Sequence, residues 1–290
     1  MQKTRLIASL LIKDGLIVQC VGFNKYYPIG RPKFPIEFLV QWDVDEIIFI
    51  DIDATERKRI IQPHILEQLT KSCFLPLTIG GGISSMEDVR YLTKNGADKV
   101  SLNTHAINNP KFITEIANTY GSQCIVISID YKIEKDGRAQ VYSNSGQVPT
   151  GLNPYEWALK VESHGAGEIL LTSIDRDGSK KGYDINTIKR ISESVSIPVI
   201  ANGGVGNFRH FADGIQKAKA SAVCAANIFH HVEHSTIIAK ACLKQSQVNV
   251  RLVSEANYSS RNFDKNGRLI MLDEEELNKV DLKPGKKEIL

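Results

Sequence analysis

Short apolar runs alternate along this chain with stretches in which apolar residues recur every three or four positions. The first pattern predicts buried strands and the second predicts amphipathic helices that cover them. Strands are expected near 5–11, 46–51, 77–79, 98–102, 124–129, 168–172, 198–201 and 221–225. Eight such strands with intervening helices predict an α/β fold, a (β/α)8 TIM barrel. Pro76 and Pro198 sit at strand entrances, where a missing N–H does least harm. Two long excursions, 15–35 and 131–151, follow the first and fifth strands at the C-terminal face, where loops of this length serve as lids or binding loops.

The pattern also repeats. The run from Glu46 to Asp53 (EIIFIDID) recurs from Glu168 to Asp175 (EILLTSID), and Pro76 to Gly82 (PLTIGGG) recurs from Pro198 to Gly204 (PVIANGG), both 122 positions on. The barrel is therefore expected to be two duplicated half-barrels. Aligning the first strand of each half sets IASLLIK (7–13) against VISIDYK (126–132), so Lys13 matches Lys132 and Leu11 matches Asp130. One half carries a carboxylate where the other carries leucine.

The barrel is expected over 1–253. From Ser254 the pattern stops, and 254–290 is a polar C-terminal extension with an acidic cluster at Asp273–Glu276, expected to be a loosely docked appendage. At 290 residues and 42% hydrophobic the chain can bury one large core. A net charge of +3 calls for no nucleic-acid partner, and no run approaches the ~18 apolar residues of a membrane span. Lys13 and Asp14 cut short the apolar start, which reads as a barrel strand rather than a signal peptide. Cys20, Cys73, Cys124, Cys224 and Cys242 lack CxxC spacing, which argues against zinc or a disulfide scaffold and fits buried thiols in a reducing cytoplasm. Nothing in the residues calls for a metal or a cofactor.

Gly80-Gly81-Gly82 follows the third strand and Asn202-Gly203-Gly204 the seventh. One strand later in each half, Asn103-Thr104 and Ala226-Asn227 stand at a helix start, and Asp177-Gly178, after strand six, would line the second site. Glycines let backbone approach an anion, and helix N-termini add N–H donors. A single glycine run is equally well a tight turn. Two symmetric copies imply a ligand with a phosphate at each end.

These residues resemble a known family. KDG (13–15), GGGI (80–83), GADKVSLNT (96–104), SQCIVISID (122–130), GAGEILLTSIDRDG (165–178), GGVG (203–206) and VNVRL (248–252) resemble the cyclase subunit of imidazole glycerol phosphate synthase, the HisF-type barrel of a glutamine amidotransferase in histidine biosynthesis. The resemblance covers about 1–252. It implies a glutaminase subunit docked on the N-terminal face, forming a heterodimer, with Asp98 at that interface. It further implies an ammonia gate of Arg5, Glu46, Lys99 and Glu168, although such a ring could also be a salt-bridged plug that only closes the barrel bottom. A bis-phosphorylated ribulosyl aminoimidazole substrate is implied at the other face, with two aspartates as general acid and base. One is Asp130. The other falls on Leu11, which can neither transfer a proton nor accept a hydrogen bond. Gln19 stands where the family has a lysine, Asp53 where threonine is common, and Asn202 and Asn227 where serines are common. Asp51 and Asp53 offer a substitute carboxylate, or Asp53 is simply a surface loop residue.

Three functions stay open. The chain is a histidine-pathway cyclase with a rewired acid–base pair. Or it is a paralogue that uses channelled ammonia for another amidation, such as amidine formation on an acetamido sugar for surface glycans. Or it is a non-catalytic scaffold that activates a glutaminase and passes ammonia to a third, amidating protein.

Overall fold

The odd-numbered residues of the first strand point one way and the even-numbered ones the other, and this alternation builds the molecule. In the computed structural model, which describes residues 3–230, 234–254, 258, 261–265 and 267–270, twelve strands are formed. They are β1 (Arg5–Lys13), β2 (Leu16–Val21), β3 (Lys25–Gly30), β4 (Glu46–Asp51), β5 (Leu77–Gly80) and β6 (Lys99–Leu102), then β7 (Ile125–Ile133), β8 (Ala139–Ser143), β9 (Val148–Pro149), β10 (Glu168–Ser173), β11 (Val199–Asn202) and β12 (Ala222–Ala225). Eight of them run parallel in the order β1-β4-β5-β6-β7-β10-β11-β12, and β12 pairs with β1, so the sheet closes without an edge. With helices between the strands, this is a (β/α)8 barrel. The expected strand positions hold to within a few residues.

Ile7, Ile48, Val126, Leu170, Ile200 and Cys224 meet in an apolar layer inside the barrel. Their neighbours Leu6, Ala8, Leu10 and Ile12 face outward into the larger core under the helices. Local signals place those helices: Ser85 accepts from Asp88 N while Asp88 accepts from Ser85 N, a capping box that starts Met86–Lys94. The chain returns at its end, where Thr4 N donates to Asn249 O at 2.8 Å.

The two excursions are not open loops. Residues 16–30 form the hairpin β2–β3, with β2 antiparallel to β1, and residues 139–149 form β8 and β9, with β8 antiparallel to β7. The duplication survives in three dimensions: Ile52 N donates to Ile12 O, and Ile174 N donates to Tyr131 O at the matching place, each at 2.9 Å.

Over residues 261–265 and 267–270 the extension is not loosely attached. Phe263 is buried in the core, Arg209 donates to the carbonyls of Phe263 and Asp264, and Ile270 N closes a turn onto Asn262 O at 2.9 Å. The Asp273–Glu276 cluster lies outside the described residues.

Candidate active site

Inward-facing positions stack in layers along the barrel axis. At the N-terminal end, Arg5 bridges Glu46 at 2.7 Å and Glu168 at 3.0 Å, and Lys99 bridges the same two carboxylates at 3.0 and 3.2 Å. The four side chains that the sequence singled out thus close a ring of alternating charge, with Thr78 donating to Glu46 at 3.1 Å. Burial works against the Arg5 charge, but the two glutamates outweigh it and hold the guanidinium more firmly protonated than usual. Asp98 stands outside the ring and exposed, where its carboxylate accepts from Leu77 N at 2.8 Å. The apolar layer follows, and above it come Ser9, Ser101, Ser128, Thr172 and Asn202, which open into a cavity of about 390 Å³ at the C-terminal face.

Leu11 and Asp130 both line this cavity. Asp130 is buried; Ser128 Oγ donates to it at 3.1 Å and Asn103 Nδ2 at 3.2 Å. Desolvation pushes its carboxyl up to about 7, against the pull of the Ser128 and Thr172 hydroxyls. Asp177 lines the same cavity, with one carboxylate oxygen fully buried and without a hydrogen bond, and burial raises it to about 6. The sequence placed Asp177 as a wall of the second phosphate site. The structure sets it in the cavity that Asp130 lines, as a second carboxyl of raised affinity for a proton.

Neither candidate substitute for the missing aspartate is free. Asp51 lines the cavity but is bound by Arg59 at 2.5 Å. Asp53 is no surface residue. It is 4% exposed, accepts from Lys13 at 2.7 Å and from Asp14 N at 2.7 Å. Burial raises its pKa, but Lys13 and the Asp14 N–H outweigh burial and hold it below the usual carboxylate range. Its repeat equivalent Asp175 accepts from Ile133 N in the same way at 2.8 Å, so this aspartate belongs to the architecture of both halves.

The two glycine runs hold equivalent places. Gly81 has φ +107° and Gly203 φ +88°, and a Cβ on either would press on the carbonyl oxygen of Asp51 or Ser173, at 2.2 and 2.8 Å. Backbone packing alone requires both, whatever they bind. They differ in access. Gly81, Gly82, Asn103 and Thr104 line the main cavity. On the other side, Asn227 accepts from Cys20 N at 3.3 Å and donates to Cys20 O at 2.6 Å, and Gly22 N donates to Asp177 O. These bonds draw β2 down onto the loops after β10 and β12. Cys20, Asp177 and Ala226 face the main cavity, while their neighbours Gln19, Gly178 and Asn227 face a second cavity of about 520 Å³. Gly203 and Gly204 line neither cavity; Gly204 packs against Gly182, where a Cβ would meet the carbonyl oxygen at 2.2 Å.

Sequence reasoning missed the hydroxyl layer and Cys20. Ser9, Ser128 and Thr172 were legible as polar residues two positions beyond inward apolar ones, and Ser101 as two beyond the gate residue Lys99; Cys20 was not, because the hairpin fold brings it in. All five cysteines are free and buried. No helix among the described residues is long and apolar enough to cross a membrane.

Residues 5–235 match the family model described as histidine biosynthesis protein. A protein of Vibrio vulnificus (strain YJ016), provisionally named imidazole glycerol phosphate synthase subunit hisF2, is 47% identical over 268 residues, spanning 92% of this chain and 98% of that one.

Proposed function

The chain belongs to the histidine biosynthesis protein family, as a HisF-like synthase subunit of the paralogous kind, and from this premise we propose that it accepts ammonia from a glutaminase subunit and serves an amidation other than histidine-ring closure. One observation carries the proposal: a complete charge ring at the barrel bottom coexists with an incomplete carboxylate pair at the top, Leu11 lining the cavity with Asp130. Desolvating four charges is unfavourable unless each is paired, and a leucine-lined barrel bottom would close as well. A ring kept intact therefore favours a working entrance over a plug.

In this proposal the glutaminase docks on the N-terminal face, beside Asp98, and ammonia enters through Arg5, Glu46, Lys99 and Glu168. Next comes the layer of Ile7, Ile48, Val126, Leu170 and Ile200. Neutral ammonia crosses such a layer, whereas ammonium would have to shed its water at large cost. The layer thus delivers the nucleophilic form. In the cavity, Gly81, Gly82, Asn103 and Thr104 hold a phosphoryl group of the acceptor. Asp130, populated in both protonation states near neutrality, gives and takes the proton that general acid–base catalysis needs. Asp177 supplies a second proton-holding group, which supports chemistry without a carboxylate at position 11. An acetamido sugar whose amide oxygen has first been phosphorylated by ATP is an acceptor of the right chemical class: ammonia adds to the imidate carbon, the oxygen leaves with the phosphate, and the amidine remains. Gly178, Gly203, Gly204, Ala226 and Asn227 serve a second phosphoryl group only if the β2–β3 hairpin lifts.

The purified chain, mixed in turn with each candidate glutaminase subunit, tests this. Glutamine hydrolysis should rise at least tenfold when the barrel is added, while the barrel with ammonium salts leaves the bis-phosphorylated ribulosyl aminoimidazole unchanged. Leu11→Asp should gain cyclase turnover, since one acid–base group is worth ~10²–10⁴-fold. Turnover by the unaltered chain would make it a histidine cyclase. Stimulated hydrolysis whose product requires a third, ATP-using protein would make it a conduit. Failure to stimulate any candidate glutaminase subunit sinks the proposal.

A further inference from the structure

Leu11 is not an isolated gap in the acid–base pair; it belongs to an apolar side of the main cavity. Strand pairing sets it beside Ile50 of β4 and Val18 of β2. Leu11 and Ile50 are both half-buried and both line the cavity, where Ile50 also packs onto the apolar layer below. The β2–β3 hairpin adds Cys20, Phe23 and Tyr26 to the lining, with the Tyr26 hydroxyl donating to Phe23 O at 2.9 Å. In the second half-barrel the positions equivalent to Leu11 and Ile50 hold Asp130 and Thr172, and the Thr172 hydroxyl donates to the Asp130 carboxylate. One half thus builds a hydrogen-bonded polar pair where the other builds an aliphatic one.

The strand order fixes where these two pairs stand. β1 and β7 lie four strands apart in the closed ring of eight, so Leu11 and Asp130 come from opposite sides of the mouth. The first glycine run follows β5, midway between them. A ligand with its phosphoryl group at Gly81 and Gly82 therefore meets carboxyl chemistry on one side and hydrocarbon on the other. Apolar side chains that face an open cavity gain from an apolar group that covers them. Polar groups of that ligand belong on the side of Asn103, Ser128 and Asp130, and a small apolar substituent belongs against Leu11 and Ile50.

We propose that Leu11 is a specificity-determining residue that, with Ile50, seats the methyl of an acetamido group and so selects an N-acetylated acceptor. The inference rests on the acceptor reading above and deepens it by assigning position 11 a ligand contact. With the methyl against Leu11, the oxygen and nitrogen of the acetamido group turn towards the polar side, where Asp130 stands. The carbon that ammonia attacks then lies between the two walls. An aspartate at position 11 would set a charge against the methyl and would have to shed water to do so. Leucine replaces proton transfer at this position with recognition of the acyl group.

Calorimetric titration of the full-length chain compares N-acetylglucosamine 1-phosphate with its N-formyl counterpart, which lacks only the methyl, and with inorganic phosphate. The native chain should bind the acetyl compound about tenfold more tightly than the formyl one, within the range for one methyl group in a fitted apolar pocket. Leu11→Asn, close to leucine in size, should bring the two within about twofold of each other while leaving the affinity for the formyl compound in place. The comparison of ligands on the native chain stands even if the variant fails to fold. Equal affinities on the native chain, or a preference that survives in the folded variant, would overturn the role of Leu11 and leave the acceptor reading standing. Binding of inorganic phosphate alone, or of no probe, would sink the acetamido-sugar reading and this inference with it.

Discussion

At the scale of single residues, Asp130 is a buried carboxyl whose ionisation the fold opposes. Its pKa is 3.8 when unperturbed and about 7 in the folded chain, chiefly through desolvation. Between these values the folded protein keeps a proton that the unfolded chain has released. Stability therefore falls as pH rises from about 4 to about 7, and the loss is complete above that. Asp130→Asn cannot ionise and escapes this loss. Urea denaturation at pH 4.5 and pH 8 should show the variant gaining on the native chain by a few kcal/mol across the window. A constant difference would mean that Asp130 ionises normally. Leu11 is the counterpart: a half-buried side chain with nothing to titrate, lining the same cavity.

Among elements, the β2–β3 hairpin decides what the upper face offers. It is a regular two-stranded extension of β1, yet its position rests on few bonds, of which the pair between Asn227 and the Cys20 backbone is the most direct. Each is worth about 1 kcal/mol net. Asn227→Ala should therefore raise local opening about tenfold, read as faster amide hydrogen exchange at Cys20 and Gly22, with exchange in β7 unchanged. Equal rates in the variant and the native chain would show that the hairpin is held by other contacts. The lifted hairpin would join the two cavities, so the same variant also probes access to the second glycine run.

At the scale of the whole molecule, one buried cation ties the last helix among the described residues to the start of the barrel. Lys240 is fully buried in helix Ser235–Gln245, with Asp45 at 2.8 Å and Asp43 at 3.3 Å; Asp45 also accepts from Leu6 N, and Asp43 from Val253 N. Lys240→Met keeps most of the volume but leaves two buried carboxylates without their counter-ion. The expected destabilisation is ~3–5 kcal/mol, measured by chemical denaturation. A loss under ~1 kcal/mol would show that water reaches the pair.

The sequence by itself determined the barrel, because an alternation of period two leaves only one face of each strand for the interior and the other for the helices. It also determined the duplication, and its family resemblance singled out the charge ring, whose members each begin a strand. Leu11, Asp130 and the first glycine run were legible for the same reason: each lies on or directly after a barrel strand. What the strand pattern does not encode was decided only by tertiary structure. Asp53 reads as a loop residue until Lys13 folds over it, and Asp177 reads as a phosphate-site wall until β2 packs against it. The extension reads as a polar tail until Phe263 finds the core. Each depends on contacts between segments far apart in the chain, where no local period sets the geometry and burial alone chooses the partner.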